Sequence, residues 1–315
     1  MFYIFRFAFY AFNMPELPEV QTVVSDLNKK VLNRRIVRVW TDWPKSIKDP
    51  LDQNRDKVDR AHVKFFEKAV KGLKILQVKR RAKNILIYLS DDMLLLVHQK
   101  MTGHLLVGKW RLVKNKPVPV SPPAVVNDPY NRFIHLIFYL DNGSMLALSD
   151  LRKFAKVLFG SREEIERLPE LVNLGPEPLD KNFKLSQFAE ILGKEKRPIK
   201  QVLLDPEVVA GIGNIYSDEI LWKAKIHPLK PADRLNKNEL KAVYSAMKEI
   251  LKKAVKLRGT STSDFRDTAG LPGRYTDARI VYQRENKPCP RCGAPIKRIK
   301  IGGRSAHFCP KCQVK

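Results

Sequence analysis

The cysteines constrain the fold of this chain more than any other feature. There are four, in two CxxC pairs separated by 16 residues: Cys289 with Cys292, and Cys309 with Cys312. Each pair presents two sulfurs on one tight turn, so two pairs complete the tetrahedron that Zn²⁺ prefers. The alternative is two disulfides in a secreted protein, but nothing else in the sequence indicates secretion. The spacing therefore predicts a C-terminal zinc ribbon with one structural Zn²⁺, in a reducing compartment, the cytoplasm.

The charge of the chain indicates its partner. Among 315 residues, enough for two or three domains, 59 are Lys or Arg and 33 are Asp or Glu, a net charge of +26. With an ordinary hydrophobic share of 44%, this excess indicates a surface that binds polyanions. Nucleic acid is the first candidate. An anionic membrane is a weaker one, because the basic residues are spread over many segments, and charge that serves only solubility is a third interpretation.

The first 13 residues differ from the rest of the chain. They hold seven aromatic residues and one charge, Arg6, and a second methionine follows at Met14. The stretch is too short to span a membrane, and it lacks the small-residue cleavage site of a signal peptide. Its amino acids are largely those with AT-rich codons. We therefore interpret residues 1–13 as upstream sequence translated by mistake, and Met14 as the true start.

The first half of the chain has the pattern of a helix followed by strands. Apolar residues recur at helical spacing from Leu17 to Val31. The strand patterns that follow lie at 36–43, 73–80, 84–90, 93–98, 104–112, 133–140 and 144–150, the last two joined by a hairpin turn. The proline-rich stretch 115–131 is predicted to be an exposed loop. Residues 14–150 are thus predicted to form one domain, a helix with a mainly antiparallel β-sandwich.

The second half is predicted to be helical. Helical periodicity occurs at 161–171, 185–193, 199–205, 214–224 and 236–257. A stretch rich in Gly, Ser and Thr at 259–285 is predicted to be a mobile loop that leads into a strand. Between two of the helices, Gly211 and Gly213 form a tight turn ahead of Asn214. Such a turn lets backbone N–H groups approach a phosphate, although glycine turns between helices are often only caps.

The cysteine-rich end has the pattern of a β-hairpin. Gly302-Gly303 suits the tip of the hairpin, and Arg304 follows directly. A metal-pinned hairpin with an arginine near its tip can reach into a groove and contact phosphates. The alternative is a zinc site with a purely structural role.

Five motifs in sequence order resemble the formamidopyrimidine-DNA glycosylase family. They are MPELPEV at 14–20, RRAKNIL at 80–86, LGPEPL at 174–179, GIGNIYSDE at 211–219 and GGRSAHFCPKC at 302–312. The likeness leaves residues 1–13 as an extension outside the family. It implies an α+β multidomain fold: a catalytic domain at 14–150 with an N-terminal helix and an antiparallel β-sandwich, a helix-two-turn-helix DNA-binding domain at 160–280, and a β-hairpin zinc finger at 281–315.

The resemblance implies a bifunctional DNA-repair enzyme. Such an enzyme excises oxidised purines, 8-oxoguanine and formamidopyrimidines, from double-stranded DNA and then cleaves the abasic strand by β,δ-elimination. The family's nucleophile is the amine of an N-terminal proline, which corresponds to Pro15. Glu16 corresponds to the catalytic acid, and Lys83 to a lysine that contacts DNA and aids catalysis. Glu19, one helical turn further, is predicted to be mainly structural.

The family pattern also implies two groups of DNA-binding residues. Phosphate contacts correspond to His98, Asn214 and Arg304. The residues that fill the gap left by the extruded base correspond to Met101, Arg152 and Phe154.

The chain departs from the family pattern around these gap-filling residues. The family commonly has Pro-Arg-Arg-Phe-Gly where this chain has LRKFA at 151–155. It has Leu-Gly before the methionine where this chain has Gln99-Lys100. These differences leave the preferred opposite base and the shape of the inserted loop open.

Two rival functions fit parts of the same pattern. An endonuclease VIII-type enzyme for oxidised pyrimidines usually has Gly where this chain has Leu17. A catalytically inactive DNA-damage-binding protein would keep the glycine turn, the ribbon and the charge. It would result if residues stayed attached before Pro15, because the proline nitrogen would then be an amide. We expect a monomer, since the family acts as one.

Overall fold

The computed structural model describes residues 14–50, 60–262 and 264–314. The extension predicted at 1–13 lies outside these residues. Among the described helices, none combines the length and the apolar character that crossing a membrane requires.

The first helix, α1 at Leu17–Lys30, begins where the sequence predicts. The Glu19 carboxylate accepts the backbone N–H of Glu16 at 2.8 Å, which closes the first turn. From Val20 onward the apolar face of α1 is buried in the β-sandwich, whereas Leu17 is buried in the core of the helical region. The start of α1 therefore connects two hydrophobic cores.

Ten of the described strands build a sandwich of two five-stranded sheets. In chain order they are β1 (Ile36–Thr41), β2 (Ile47–Lys48), β3 (Ile75–Arg81), β4 (Asn84–Leu89), β5 (Met93–His98), β6 (Gly103–Val113), β7 (Lys116–Ser121), β8 (Ile134–Leu140), β9 (Met145–Asp150) and β10 (Lys156–Ser161). One sheet has the order β1-β8-β9-β6-β7 and the other β2-β10-β5-β4-β3. The short β2–β10 pair is parallel, and the other pairs are antiparallel. The seven predicted strands and the antiparallel sandwich are confirmed.

The prediction of an exposed loop at 115–131 was wrong. This stretch contains β7, the short helix α3 (Pro123–Asn127) and a 3₁₀ turn at Pro129–Arg132, and Val125 is fully buried. Its prolines are compatible with this structure because β7 is an edge strand and the others begin helical turns.

Other connecting segments also differ from the prediction. The loop at 259–285 does not lead into a strand: among its described residues, 259–262 and 264–285, the regular element is a 3₁₀ turn at Tyr275–Ala278, and Asp264 to Thr268 are buried. The helix α2 (Arg60–Val70) and strand β10 were not predicted. Because β10 completes the second sheet, we propose that the first domain extends to Ser161 rather than to residue 150.

The helical region confirms the predicted segments. Its helices are α4 (Arg162–Glu166), α5 (Pro169–Val172), α6 (Leu185–Gly193), α7 (Ile199–Leu204), α8 (Asn214–Ala224) and α9 (Lys237–Lys256). Helices α6 to α9 share one core, with α8 at its centre, since every residue from Ile215 to Leu221 is buried. The predicted C-terminal hairpin is also present, with β11 (Lys297–Ile301) and β12 (Arg304–Phe308) joined through Gly302-Gly303.

Candidate active site

The carboxylate of Glu16 caps helix α8 from the other domain. Its oxygens accept the backbone N–H groups of Gly213 at 2.8 Å, Ile215 at 2.9 Å and Tyr216 at 3.4 Å. These groups open the helix and have no partner within it, and the helix dipole favours negative charge at this end. The side chain is only 2% exposed. The acid that follows Pro15 is thus fixed by a helix that begins almost 200 positions later in the chain.

Glycines at the start of α8 make room for this contact. A Cβ on Gly213 would lie 2.4 Å from Cδ of Glu16, and one on Gly211 would lie 3.0 Å from Cβ of Leu17. Gly211 also needs glycine for its φ of +86°. The expectation that the backbone N–H groups of this turn approach a phosphate does not hold for Gly213 and Ile215, whose N–H groups are bound to Glu16. Asn214 still faces the cleft, and its Oδ1 is buried without a hydrogen-bond partner among the described residues.

Glu19 forms a second buried carboxyl beside the first. It accepts hydrogen bonds from the Tyr216 hydroxyl at 2.5 Å and from the Thr260 backbone N–H at 2.6 Å, and it is 1% exposed. Burial, and then the neighbouring charge of Glu16, raises the pKa of Glu19 to about 7. Burial also raises the pKa of Glu16, although three backbone N–H groups and Lys83 oppose the rise. Near neutral pH the pair can therefore hold a proton.

The raised pKa of Glu19 predicts a pH-dependent stability. Because the carboxyl binds its proton more tightly when folded, its contribution is fully present below pH 4.5 and is lost as the pH rises through about 7. Between those limits, Glu19→Gln should gain roughly 3 kcal/mol in unfolding free energy relative to the wild type. Urea unfolding at a series of pH values measures the difference. The control is Gln187→Ala, which replaces an exposed side chain of α6 that does not titrate, so its difference from the wild type should stay constant. A constant difference for Glu19→Gln as well would contradict the prediction.

Lys83 lies in the tight turn between β3 and β4 and lines the same cleft as Glu16. The turn is held by Glu177 of the LGPEPL motif, which accepts the Ala82 N–H at 2.6 Å and pairs with Arg80 at 2.6 Å. Burial lowers the pKa of Lys83, and the negative charges of the two buried acids oppose that change. The lysine can therefore exchange protons more readily than an exposed one.

One cleft between the domains, with a volume of about 790 Å³, brings together six of the predicted site residues: Glu16, Lys83, His98, Met101, Asn214 and Arg304. Arg152 and Phe154 do not line it. Pro15 is buried and does not line this cleft; it lines a separate gap of about 10 Å³ together with Glu19, Thr260 and Phe265. Met14 lines both spaces. The four cysteines lie outside the cleft, at the base of the hairpin that carries Arg304.

His98 at the end of β5 is neutral. Its Nδ1 accepts the Lys100 backbone N–H at 3.0 Å, so the ring proton is on Nε2. Burial and the nearby charges of Lys100, Lys156 and Lys83 lower its pKa to about 3. A neutral ring can still donate this N–H to a phosphate oxygen.

The three predicted gap-filling residues form one cluster. Arg152 lies over the ring of Phe154, with Cζ 4.5 Å from the centroid, and its Nη1 lies 3.4 Å from Sδ of Met101. Phe154 is half exposed. Asp150 joins the two loops: its carboxylate accepts from the Thr102 hydroxyl in one loop and from the backbone N–H of Arg152 in the other. The loops that carry the cluster are thus joined by one buried carboxylate.

The four cysteines fit a zinc ion. Their sulfur atoms all lie within 4.8 Å of one another, and none forms a disulfide. Four thiolates in this arrangement are the donor set of a closed structural Zn²⁺ site. The Trp222 indole N–H and the Cys312 backbone N–H lie 3.4 Å from sulfurs of the cluster, where they stabilise thiolate charge. The chain therefore holds one structural zinc ion.

Loss of zinc should detach the hairpin from the rest of the site. Cys309→Ser should lower DNA affinity by about tenfold or more, because zinc binding supplies much of the folding free energy of such a small unit. A zinc-release assay combined with fluorescence-polarisation binding to duplex DNA measures both effects. Lys311→Ser, an exposed neighbour, is the control and should keep both zinc and affinity. Full affinity in zinc-free protein would contradict the prediction.

Several residues that orient the site were not recognised in the sequence. Lys200 is fully buried, and its ammonium contacts the Asp218 carboxylate at 2.6 Å. The second oxygen of Asp218 accepts the backbone N–H of His307 at 2.9 Å and lies 2.9 Å from its Nδ1. Glu219 accepts three consecutive backbone N–H groups from 280 to 282. These contacts fix the hairpin and residues 280–282 to α8, and two adjacent acids in a helix with only one other charged residue are the signal that could have revealed them.

Family models match most of the chain. The formamidopyrimidine-DNA glycosylase N-terminal domain matches residues 14–157, and the formamidopyrimidine-DNA glycosylase H2TH domain matches 174–266. The zinc finger found in FPG and IleRS matches 286–314.

Curated relatives and solved structures agree with these matches. The formamidopyrimidine-DNA glycosylase of Herpetosiphon aurantiacus is 39% identical over 301 residues, which are 95% of this chain and 100% of the relative. A Lactococcus lactis FPG variant solved with DNA containing Fapy-dG superposes with a TM-score of 0.78 at 31% identity, over 96% of this chain and 100% of that one. The wild-type L. lactis Fpg solved with DNA containing an oxidised pyrimidine has a TM-score of 0.77 at 32% identity, over the same shares.

Proposed function

As a member of the formamidopyrimidine-DNA glycosylase family, the chain is a DNA glycosylase of base-excision repair, and we propose that it removes oxidised purines from duplex DNA. The observation that carries the proposal is the buried Glu16, fixed beside Pro15 at the wall of a cationic cleft between two domains. The acid is oriented by three backbone N–H groups, and its pKa is raised by burial.

The nucleophile of the proposed reaction is the α-amine of Pro15, freed by removal of the residues before it. Schiff-base chemistry needs a neutral amine. An α-amine with a pKa near 7.7–8.0 is roughly one-tenth neutral at pH 7, whereas a lysine near 10.4 is neutral in less than about one molecule in a thousand. The amine attacks C1′ of the damaged nucleotide, and the resulting iminium makes the C2′ protons acidic. Elimination of the 3′ and then the 5′ phosphate follows.

Glu16 is the proposed proton donor. It protonates the deoxyribose ring oxygen as the base leaves, a role that needs a carboxyl with a raised pKa. Lys83 lies close enough to both buried acids for their charges to shift its pKa, so it can return protons during the eliminations. Glu19, which fixes the Glu16 backbone N–H, positions the acid and is not itself assigned a proton-transfer step.

The DNA duplex is the partner, and its damaged base has to leave the stack. The cluster of Met101, Arg152 and Phe154 is the proposed wedge that fills the gap, with Arg152 able to hydrogen-bond the orphaned base. His98, Asn214 and Arg304 are the proposed phosphate contacts from three different elements. All of these residues belong to one chain, which supports action as a monomer. The four cysteines form no disulfide, which supports the cytoplasm as the place of action.

A lesion panel tests the proposed substrate. Duplexes with 8-oxoguanine, a formamidopyrimidine or an oxidised pyrimidine are incubated with the enzyme under single-turnover conditions. We expect both purine lesions to be excised faster than the pyrimidine. Faster excision of the pyrimidine would favour the endonuclease VIII-type alternative, to which the L. lactis complex with an oxidised pyrimidine gives some support. Binding without excision of any lesion would favour the inactive DNA-binding protein.

A further inference from the structure

The turn between β5 and β6 carries a lysine where the family pattern has glycine. Lys100 has a φ of +53°, in the left-handed region that side chains other than glycine rarely adopt. Its backbone N–H is bound to Nδ1 of His98, and the turn is closed by a hydrogen bond from the Gly103 N–H to the Gln99 carbonyl at 3.0 Å. The left-handed backbone at Lys100 is therefore held by the surrounding structure.

The side chain of Lys100 lies in the DNA cleft. It lines the cleft between His98 and the wedge residue Met101 and is half-buried. Within the described part of the chain, no hydrogen bond or ion pair joins its ammonium to another residue. The nearby carboxylate of Glu170 is taken by Lys156 at 2.5 Å. A cation is thus placed in the cleft without a protein partner of its own.

The surroundings of Lys100 suit an anion. Burial and the charge of Lys156 lower its pKa, and Glu170 opposes that change. The neutral His98 beside it presents an Nε2–H donor on the same wall. A phosphate bound here would relieve the repulsion between the two lysines and would meet donors from three side chains.

We propose that Lys100 binds a DNA phosphate next to the base step into which Met101 inserts, a contact that a glycine at this position could not make. The inference rests on the proposed function, because it needs DNA in this cleft. It assigns a role to a residue by which this chain departs from the family pattern, and it predicts tighter, more salt-sensitive binding than the same enzyme would show with glycine there.

The test is the salt dependence of binding to a duplex with a tetrahydrofuran abasic-site analogue, using the full chain. The slope of log K against log salt is negative, and the loss of one phosphate contact reduces its magnitude by about 0.9. We expect this decrease for both Lys100→Gly and Lys100→Met, and the wild-type slope for Lys100→Arg.

A matched control shows whether the effect of Lys100→Gly depends on the position of Lys100 or only on the loss of one charge and one strained backbone conformation. Lys114 lies in the exposed turn between β6 and β7, also with a positive φ, +48°, so Lys114→Gly removes the same charge and the same strain outside the cleft. It should keep the wild-type slope. A Lys100→Gly slope equal to that of Lys114→Gly would overturn the inference while leaving the proposed function intact. Failure of the wild-type chain to bind the duplex would instead overturn the proposed function.

Discussion

We expect a chain that begins at Pro15 to form a covalent complex with 8-oxoguanine duplex that borohydride traps, and a chain that keeps residues before Pro15 to form none. This is the largest effect that we expect. In the blocked chain the proline nitrogen is an amide, whose lone pair is delocalised into the carbonyl and cannot attack C1′. The yield should fall by about a thousandfold or more, the scale of losing a catalytic nucleophile.

The comparison needs two proteins that differ only at the N-terminus, one expressed from Met14 and one from Met1. Intact mass establishes where each begins, and both should bind the abasic-site duplex through the same cleft. Trapping by a chain whose mass shows that Met14 is still attached would refute Pro15 as the nucleophile. Lys83, the other amine at the cleft wall, would then be the group to test.

Gly213→Ala should remove most base excision, although the substitution replaces no titratable residue. Gly213 has an extended backbone, φ −131° and ψ −159°, so alanine is allowed there by its conformation. Its Cβ, however, would lie 2.4 Å from Cδ of Glu16, and neither the carboxyl nor the start of α8 can move away without breaking their hydrogen bonds. We expect excision to fall by about a hundredfold or more, the lower range for loss of a general acid.

Gly193→Ala is the control for this prediction. Gly193 is the last residue of α6, and a Cβ there would meet nothing within 4 Å. Alanine at that position should leave the excision rate unchanged. The measurement is the single-turnover excision rate of the wild type, Gly213→Ala and Gly193→Ala, with DNA binding measured in parallel. Wild-type excision by Gly213→Ala would show that Glu16 does not need its place at α8.

Much of the fold could be predicted because its signals are local. The helix from Leu17, seven strands and the long α9 have periodic apolar residues, and the cysteine spacing alone gives the zinc site. The stretch 115–131 was misjudged because proline is usually a loop signal, and only the sheet order reveals that β7 is an edge strand. Strand β10 was missed because its place depends on pairing with β5.

The residues of the site could be predicted, but the contacts between them could not. The family resemblance supplied the residue numbers, and the structure places six of them on one cleft. That Glu16 caps α8 depends on a contact between residues 197 positions apart, which no local pattern encodes. The buried Lys200 has the same limitation, since lysine is read as a surface residue unless its partner Asp218 is known.

The start of α8 holds the Glu16 carboxylate in place, so we expect this protein to lose its activity before either domain unfolds. If heat or denaturant separates the helical region from the sandwich, each keeps its own core, but Glu16 loses the three N–H groups that orient it. Circular dichroism would register little change at that point, while excision would already have stopped. Because Glu16 is the proposed proton donor, we expect base excision to be the first property that is lost when the contact between the two domains weakens.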